Sequence, residues 1–294
     1  MIRLVLGFSR GSMSDHIAHV IEPALTRSLG EPVVIELKPG GNGAPAAVEV
    51  ARSAPDGRTL FMGTMSTHAL APHFAESLPY DVLSDFAPVS LVARSPLVLG
   101  CSREIDAGST AELVSIARKS PGVLAYGTSS FGGAPHLAAE LFAKLADIRL
   151  RYVRYDETER LYADLESGRI ALSFNNIVSM LPRCRAGRVR ALAVTTAERS
   201  AAVPELPTVT ESGVAGFDVS NWLGLLAPRA TPAATVEQLS RAVSAAVRMP
   251  EVTSAFCDAG VDPHGSTPDE FHRFISTELA RWEPIIARIK KEEA

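Results

Sequence analysis

The sequence predicts an α/β protein of two lobes, each a mixed sheet flanked by helices. Short apolar, β-branched runs recur at Leu4-Phe8, Val33-Leu37, Leu60-Gly63, Leu97-Cys101, Leu124-Tyr126, Leu150-Tyr155, Ile170-Phe174, Ala191-Val194 and Trp222-Leu226. Helical patterns lie between most of them, the alternation of a parallel or mixed sheet covered on both faces. The length of 294 residues, 46% of them hydrophobic, exceeds the needs of one small domain. Extended runs near Val92-Leu99 and Ser220-Pro228 are bordered by polar or Pro-containing segments. The chain is therefore expected to cross twice at hinges, residues 1–98 plus 223–294 forming lobe 1 and 99–222 lobe 2, with a ligand cleft between them.

Taken in order, Leu4-Val5-Leu6-Gly7-Phe8 reads as a strand, Ser9-Arg10-Gly11-Ser12-Met13-Ser14-Asp15 as a loop, and Ile17, Val20, Ile21 and Leu25 as one helix face. Gly40-Gly41-Asn42-Gly43 lacks both the Gly-Lys-Ser/Thr ending of a phosphate loop and the GxGxxG spacing, and reads as a flexible turn before a helix Pro45-Arg52. The first arrangement returns in the middle of the chain. A strand Leu124-Ala125-Tyr126 leads through Gly127-Thr128-Ser129-Ser130-Phe131-Gly132-Gly133-Ala134 to a helix opened by Pro135 with Leu137, Leu141, Phe142 and Leu145 on one face. The last helices, with Val236, Leu239, Val243 and Val247 and then Phe271, Phe274, Ile275, Leu279, Trp282 and Ile286, close the first lobe; Pro284 is expected to kink or restart the final one, and Lys290-Ala294 to fray.

Composition excludes several function classes. A net charge of −4 gives no basic field for nucleic acid or an anionic membrane surface. No apolar run approaches the ~20 residues that span a bilayer. Met1-Ile2-Arg3 runs straight into a strand without the features of a signal peptide, so the expectation is a cytosolic protein or one whose leader has been removed. Cys101, Cys184 and Cys257 lie far apart and build neither a disulfide scaffold nor a metal site. His16 and His19 have no carboxylate at metal spacing, so no metal and no cofactor are expected.

Two strand-loop-helix units with Gly and Ser in the loop make an anion trap: glycine lets the backbone approach a guest, and helix-start amides and hydroxyls donate toward one point. Ser9, Ser12, Ser14, Ser129 and Ser130 are the first candidates, with Asp15 orienting its loop as a cap and Arg10 or Arg154 available to clamp a second polar end. His68 closes Thr64-Met65-Ser66-Thr67, and His136 follows Ala134-Pro135; each is either a ligand contact or a cap. Asn175 and Asn176, after the strand Ile170-Phe174, cap a loop or line a cleft. Gly7-Phe8-Ser9-Arg10-Gly11 also satisfies GxSxG, and Asp262 and His264 follow in the order of a hydrolase triad. Against that reading, the serine follows the first strand, and acid and base are nearly adjacent.

Longer strings carry a family resemblance. Ile2-Arg3-Leu4-Val5 leading to Phe8 and Asp15, Ala54-Pro55-Asp56-Gly57, Leu78-Pro79-Tyr80-Asp81, Asp85-Phe86-Ala87-Pro88-Val89, Ala191-Leu192-Ala193-Val194-Thr195, Leu206-Pro207-Thr208-Val209 with Glu211-Ser212-Gly213, and Gly265-Ser266-Thr267-Pro268-Asp269-Glu270-Phe271 resemble the tripartite tricarboxylate transporter receptors, the Bug-type solute-binding proteins. The resemblance covers essentially the whole chain in order. It implies a two-lobed, periplasmic-binding-protein-like fold and no catalysis. It further implies a periplasmic monomer that captures a small carboxylated solute, a di- or tricarboxylate or an aromatic acid, and presents it transiently to a membrane permease. A sensor that docks on a signalling protein would share the sequence features.

Carried over by position, the family's cleft loops fall on Phe8, Ser9, Arg10, Gly11, Ser12, Ser14 and Asp15, on Thr64, Ser66, Thr67 and His68, and on Thr128, Ser129, Ser130, Ala134 and His136; Tyr155, Asn175 and Asn176 complete the set. Where the family reads Pro-Phe-Pro-Ala-Gly-Gly this chain has Gly7-Phe8-Ser9-Arg10-Gly11-Ser12. Its Val-Pro-Tyr-Lys-Gly becomes Val153-Arg154-Tyr155-Asp156-Glu157, and its Phe-Asp-Asn becomes Phe174-Asn175-Asn176. An added cation at Arg10 and a lost carboxylate at Asn175 make the site less repulsive to anions; Asp156 and Glu157 act the other way if they face inward.

Overall fold

The computed structural model describes residues 1–75, 77–129, 132–155 and 157–293. They fall into two compact units, Met1–Arg94 with Trp222–Ala294, and Ser95–Asn221. The chain thus passes from one unit to the other between residues 94 and 95 and between 221 and 222, inside strands β4 (Phe86–Ser102) and β9 (Ser220–Pro228).

In the first unit, β1 (Ile2–Leu6), β2 (Val33–Leu37) and β3 (Thr59–Thr64) are joined by helices α1 (Met13–Leu29) and α2 (Ala44–Ala51) and run parallel. A π-type turn, Ser66–Leu70, and α3 (Ala71–Phe74) follow β3. After the return of the chain, β9 pairs antiparallel with β3, and α8 (Ala233–Val247), α9 (Pro250–Asp258), the short β10 (Asp262–Pro263) and α10 (Pro268–Glu293) complete the unit. The strand order is β2-β1-β3-β9-β4, with β10 on β4. Ile17, Ile21 and Leu25 of α1 share one core with Leu4 and Leu6 of β1 and Val236, Leu239 and Val243 of α8. These are the apolar positions that the helical spacing singles out, and their burial drives the docking of both helices on the sheet.

The second unit holds α4 (Thr110–Lys119), β5 (Ala125–Thr128), α5 (Ala134–Leu145), β6 (Arg151–Arg154), α6 (Thr158–Glu166), β7 (Leu172–Asn176), α7 (Ile177–Arg185) and β8 (Val189–Val194). Strands β5, β6 and β7 are parallel, while β4 pairs antiparallel with β7 on one side and β8 on the other. Phe142, Phe174 and Phe217 form a ring cluster with centroids 5.6 to 6.2 Å apart.

Two sequence expectations are corrected. The strand expected over Leu97-Cys101 is the second half of a 17-residue strand whose first half contains Pro88. Helix α10 does not restart at Pro284 but runs through it to Glu293, past the residues expected to fray. Trp282 and Ile285, Ile286 and Ile289 are buried on both sides of the proline, so packing keeps the helix continuous despite the missing amide.

Near the second crossing, Glu278 is buried and accepts from the indoles of Trp222 and Trp282, each at 3.2 Å, and from Arg281 at 2.9 Å. Removing the carboxylate leaves two buried indole donors without this acceptor and takes an ion-pair partner from Arg281. Glu278→Ala is expected to cost about 3 kcal/mol of stability and Glu278→Gln, which keeps an acceptor, markedly less, measured by urea unfolding.

Candidate functional site

Parallel strands deliver their carboxyl ends to one edge, and the loops there are where α/β sheets bind ligands. In the first unit the turn after β1 is shaped by Gly7. A Cβ built on it would come 2.6 Å from Gly43 Cα, so the two turns touch backbone to backbone. A Cβ on Gly43 would lie 2.7 Å from Thr67 Cγ2 and 3.7 Å from the Phe8 ring, so the loops after β1, β2 and β3 meet at one place. The turn Gly40-Gly41-Asn42-Gly43, expected to be merely flexible, is a wall of this edge. All four residues have positive φ, at 120°, 50°, 52° and 87°. The signal was four consecutive turn formers directly after a strand.

The start of α1 is capped from within. Ser12 Oγ accepts from the Asp15 amide at 3.2 Å, and the Asp15 carboxylate accepts from the Gly11 amide at 2.8 Å. Ser12 and Ser14 hydroxyls lie 3.0 Å apart, and the His16 amide already donates to the Ser12 carbonyl. This leaves the amides of Met13 and Ser14 as the first-turn donors without a partner among the described residues. Ser9, Arg10 and Gly11 are exposed, Phe8 and Ser12 half-buried, and Ser14 and Asp15 buried.

The loop after β3 is closed by reciprocal bonds. The Thr64 amide donates to Thr67 Oγ1 at 2.9 Å, and the Thr67 amide to Thr64 Oγ1 at 3.3 Å. Thr64 and Ser66 are half-buried. Thr67 and His68, expected to face a ligand, are corrected: both are fully buried. The His68 ring lies 4.9 to 5.9 Å from the rings of Phe86, Phe61 and Tyr80. Its Nδ1 lies 3.0 Å from Thr67 Oγ1, and its Nε2 has no hydrogen-bond partner among the described residues. It supports the loop from below.

In the second unit, β5, β6 and β7 also end at a shared edge. A Cβ on Gly127 would meet the Tyr155 ring at 2.8 Å. Asn175 donates to Ser173 Oγ at 2.7 Å, which donates to the Gly127 carbonyl at 2.8 Å. Asn176 Oδ1 accepts from Asn221 at 2.9 Å. Half-buried Ser129 shares a hydrogen bond with Thr158 at 2.9 Å, whereas Thr128 is buried. Gly133, the N-cap of α5, offers no side chain, and the amides of Gly133 and Ala134 have no partner among the described residues. Ser130 and Asp156 lie outside the described residues.

His136 and Tyr155 are committed inward. The Gly132 amide donates to His136 Nδ1 at 3.1 Å, and the ring stacks on Tyr152 at 4.7 Å. Tyr155 donates to Asp164 at 2.9 Å. Burial first, and then that carboxylate, push its phenol up to about 12. Arg10 and Glu157 are exposed, as is Arg154.

Strands β3, β9 and β4 separate β1, which leads to Ser9, from β10, which carries Asp262 and leads to His264. At ~4.8 Å per strand, Ser9 is well outside hydrogen-bond reach of those groups along the sheet. Among the described residues no three His, Cys, Asp or Glu side chains converge on a metal position, and no helix is long and apolar enough to cross a membrane.

A family model described as tripartite tricarboxylate transporter family receptor matches residues 17–291. Protein BugT of Bordetella pertussis is 32% identical over 97% of this chain and 88% of its own length. Among solved structures, R. palustris Rpa4515 with adipate is 34% identical, with a TM-score of 0.74 over 97% of this chain and 95% of that one. MatC (Rpa3494) from Rhodopseudomonas palustris with bound malate is 30% identical, with a TM-score of 0.70 over 97% and 98%.

Burial holds His68 neutral down to about 3, against an ordinary value of 6.5. The unfolded chain takes up a proton below the ordinary value that the folded ring refuses. Stability is therefore full above pH 6.5 and lost as pH falls toward about 3, by up to about 1.4 kcal/mol per pH unit. Urea unfolding at about pH 5 should show a loss of about 2 kcal/mol relative to pH 7 from this group, a loss that His68→Leu removes.

Proposed function

Because the chain belongs to the tripartite tricarboxylate transporter receptor family, we propose that it captures a small carboxylate outside the cytoplasmic membrane and delivers it to a membrane permease without transforming it. The observation that carries the reading is the pair of unpartnered first-turn amides, Met13 and Ser14, at the head of a helix whose other leading donors are already capped. An ionised carboxylate leaving water costs several kcal/mol. Charge-assisted bonds return about 1.5 to 3 kcal/mol each, so two or three fixed donors suffice for one carboxylate.

The exposed Ser9 hydroxyl in the first unit, and Ser129 with the amides of Gly133 and Ala134 at the strand ends of the second, are donors of the same neutral kind. Adipate and malate, bound to two relatives, are both dicarboxylates, which supports that ligand class here. Arg10, exposed on the first loop, is proposed to meet the second carboxylate. Phe8, Thr64, Ser66 and Asn176 are half-buried at the loop edges and are proposed to shape the contact; Asn175 is buried and acts through Ser173.

Calorimetric titration with adipate and malate tests the proposal. Ser9→Ala combined with Ser129→Ala is expected to weaken the acid that binds by at least about tenfold, roughly 1.4 kcal/mol, while Tm stays within about 2 °C of wild type. Unchanged affinity would remove these hydroxyls from the site. Covalent labelling of Ser9 by a fluorophosphonate would favour the hydrolase reading instead.

A further inference from the structure

The first unit carries a second concave site that carboxylate capture does not use. An open groove of about 620 Å³ is walled by the first turns of α8 and α10 and by the start of β4, a volume in the range of small-molecule sites. Its place in the sheet separates it from the loops described above. Strand β9 runs antiparallel to β3, with Leu223 opposite Thr64 and Leu226 opposite Phe61. Arg229, just beyond β9, therefore lies at the edge where β3 begins, whereas the donor loops lie where β1, β2 and β3 end.

The lining of the groove carries charges of both signs. It includes Arg229, whose side chain has no ion-pair partner among the described residues, and the start of α8, whose N-cap Pro232 offers no side-chain cap. The amides of Thr235 and Val236 turn back to the Pro232 carbonyl, leaving those of Ala233 and Ala234 without a partner among the described residues. Thr231 lines the same groove. It is buried, at 6% exposure, and its hydroxyl has no hydrogen-bond partner. Its χ1 has more than one staggered well, so the hydroxyl can be turned toward a guest. Ala87, Pro88 and Val236 add apolar surface to the lining.

The lining also holds two carboxylates. Asp269, in the first turn of α10, has no side-chain partner among the described residues. Glu237 is held only by exposed Arg241 at 3.8 Å. The α10 start itself is closed: the Glu270 carboxylate accepts from the Thr267 amide at 2.8 Å, and the Glu270 amide donates back to Thr267 Oγ1 at 3.3 Å. A plain dianion would face two carboxylates here, and a plain cation would face Arg229.

We propose that this groove binds a short zwitterion of the amino-acid or dipeptide class. Its carboxylate is taken by Arg229, the α8 amides and Thr231, its ammonium by Asp269 and Glu237, and its apolar body lies against Ala87, Pro88 and Val236. Charge-assisted bonds at both ends reward a molecule that carries both signs and penalise one that lacks either.

The test titrates the full chain with leucyl-leucine, with its N-acetylated form and with its C-terminal amide, followed by amide NMR shifts and calorimetry. Leucyl-leucine should move the resonances of Ala233 and Ala234, and each blocked form should bind at least about fivefold more weakly. Arg229→Ala and Asp269→Asn should each weaken the dipeptide about tenfold while leaving adipate and malate titrations as in the wild type. Thr231→Val keeps the shape and removes an unpaired hydroxyl, so Tm should hold or rise while dipeptide affinity falls. The proposal is overturned by the absence of shifts up to about 10 mM, by equal binding of the blocked forms, or by shifts confined to residues 8–15. The last result would place the dipeptide on the donor loops, and the first two leave carboxylate capture untouched.

Discussion

A backbone contact with no room for a side chain fixes the first unit's donor edge. Gly7 lies against Gly43, and Gly43 in turn faces Thr67 and Phe8, so the ends of three parallel strands are held in register by the absence of a methyl group. Once that contact is in place, α1 can begin only where Ser12 caps it, and the Asp15 carboxylate reaches back to Gly11. The loop is then a rigid extension of the helix. Preorganised amides keep their aim without a ligand, so binding does not have to supply the ordering energy.

The same economy explains why polar residues that looked like ligand contacts turn inward. Thr67 closes the turn with Thr64, and His68 fills the space beneath among Phe61, Tyr80 and Phe86. A neutral buried imidazole with an unpaired nitrogen is a cost that only surrounding packing offsets. In the second unit His136 has a comparable supporting place, its Nδ1 occupied by the Gly132 amide and its ring stacked on Tyr152.

Much of this was legible in the residues. Periodicity located the strands of both sheets and the core faces of α1 and α8, because apolar spacing and burial are the same constraint seen twice. The capping role expected of Asp15 follows from its position three residues after Ser12. What could not be read was inward or outward orientation. Thr67 and Ser66 are neighbours of similar chemistry, yet one is buried and the other reachable, and only the π-type turn decides which. The wall formed by Gly41, Asn42 and Gly43 escaped because a glycine cluster signals permissive φ without saying what its backbone touches. Pro284 was half misleading for the reverse reason: a local rule allowed a kink or a restart, and burial of Trp282 and Ile285 keeps the helix from restarting.

A receptor must release what it captures, and that requirement bears on the kind of donor used. Fixed backbone amides and hydroxyls give a carboxylate short hydrogen bonds without a buried counter-charge, so departure of the ligand leaves no uncompensated ion behind. In α1 the internal caps satisfy all but two of the leading donors, which matches the two oxygens of one carboxylate. Arg10 is exposed rather than buried, and an exposed cation adds attraction screened by salt and contributes modestly to affinity. On the proposed reading, grip lies in the neutral amides and discrimination between acids in the exposed charge of Arg10. Substitutions at Arg10 would shift which acid is preferred far more than whether an acid is held.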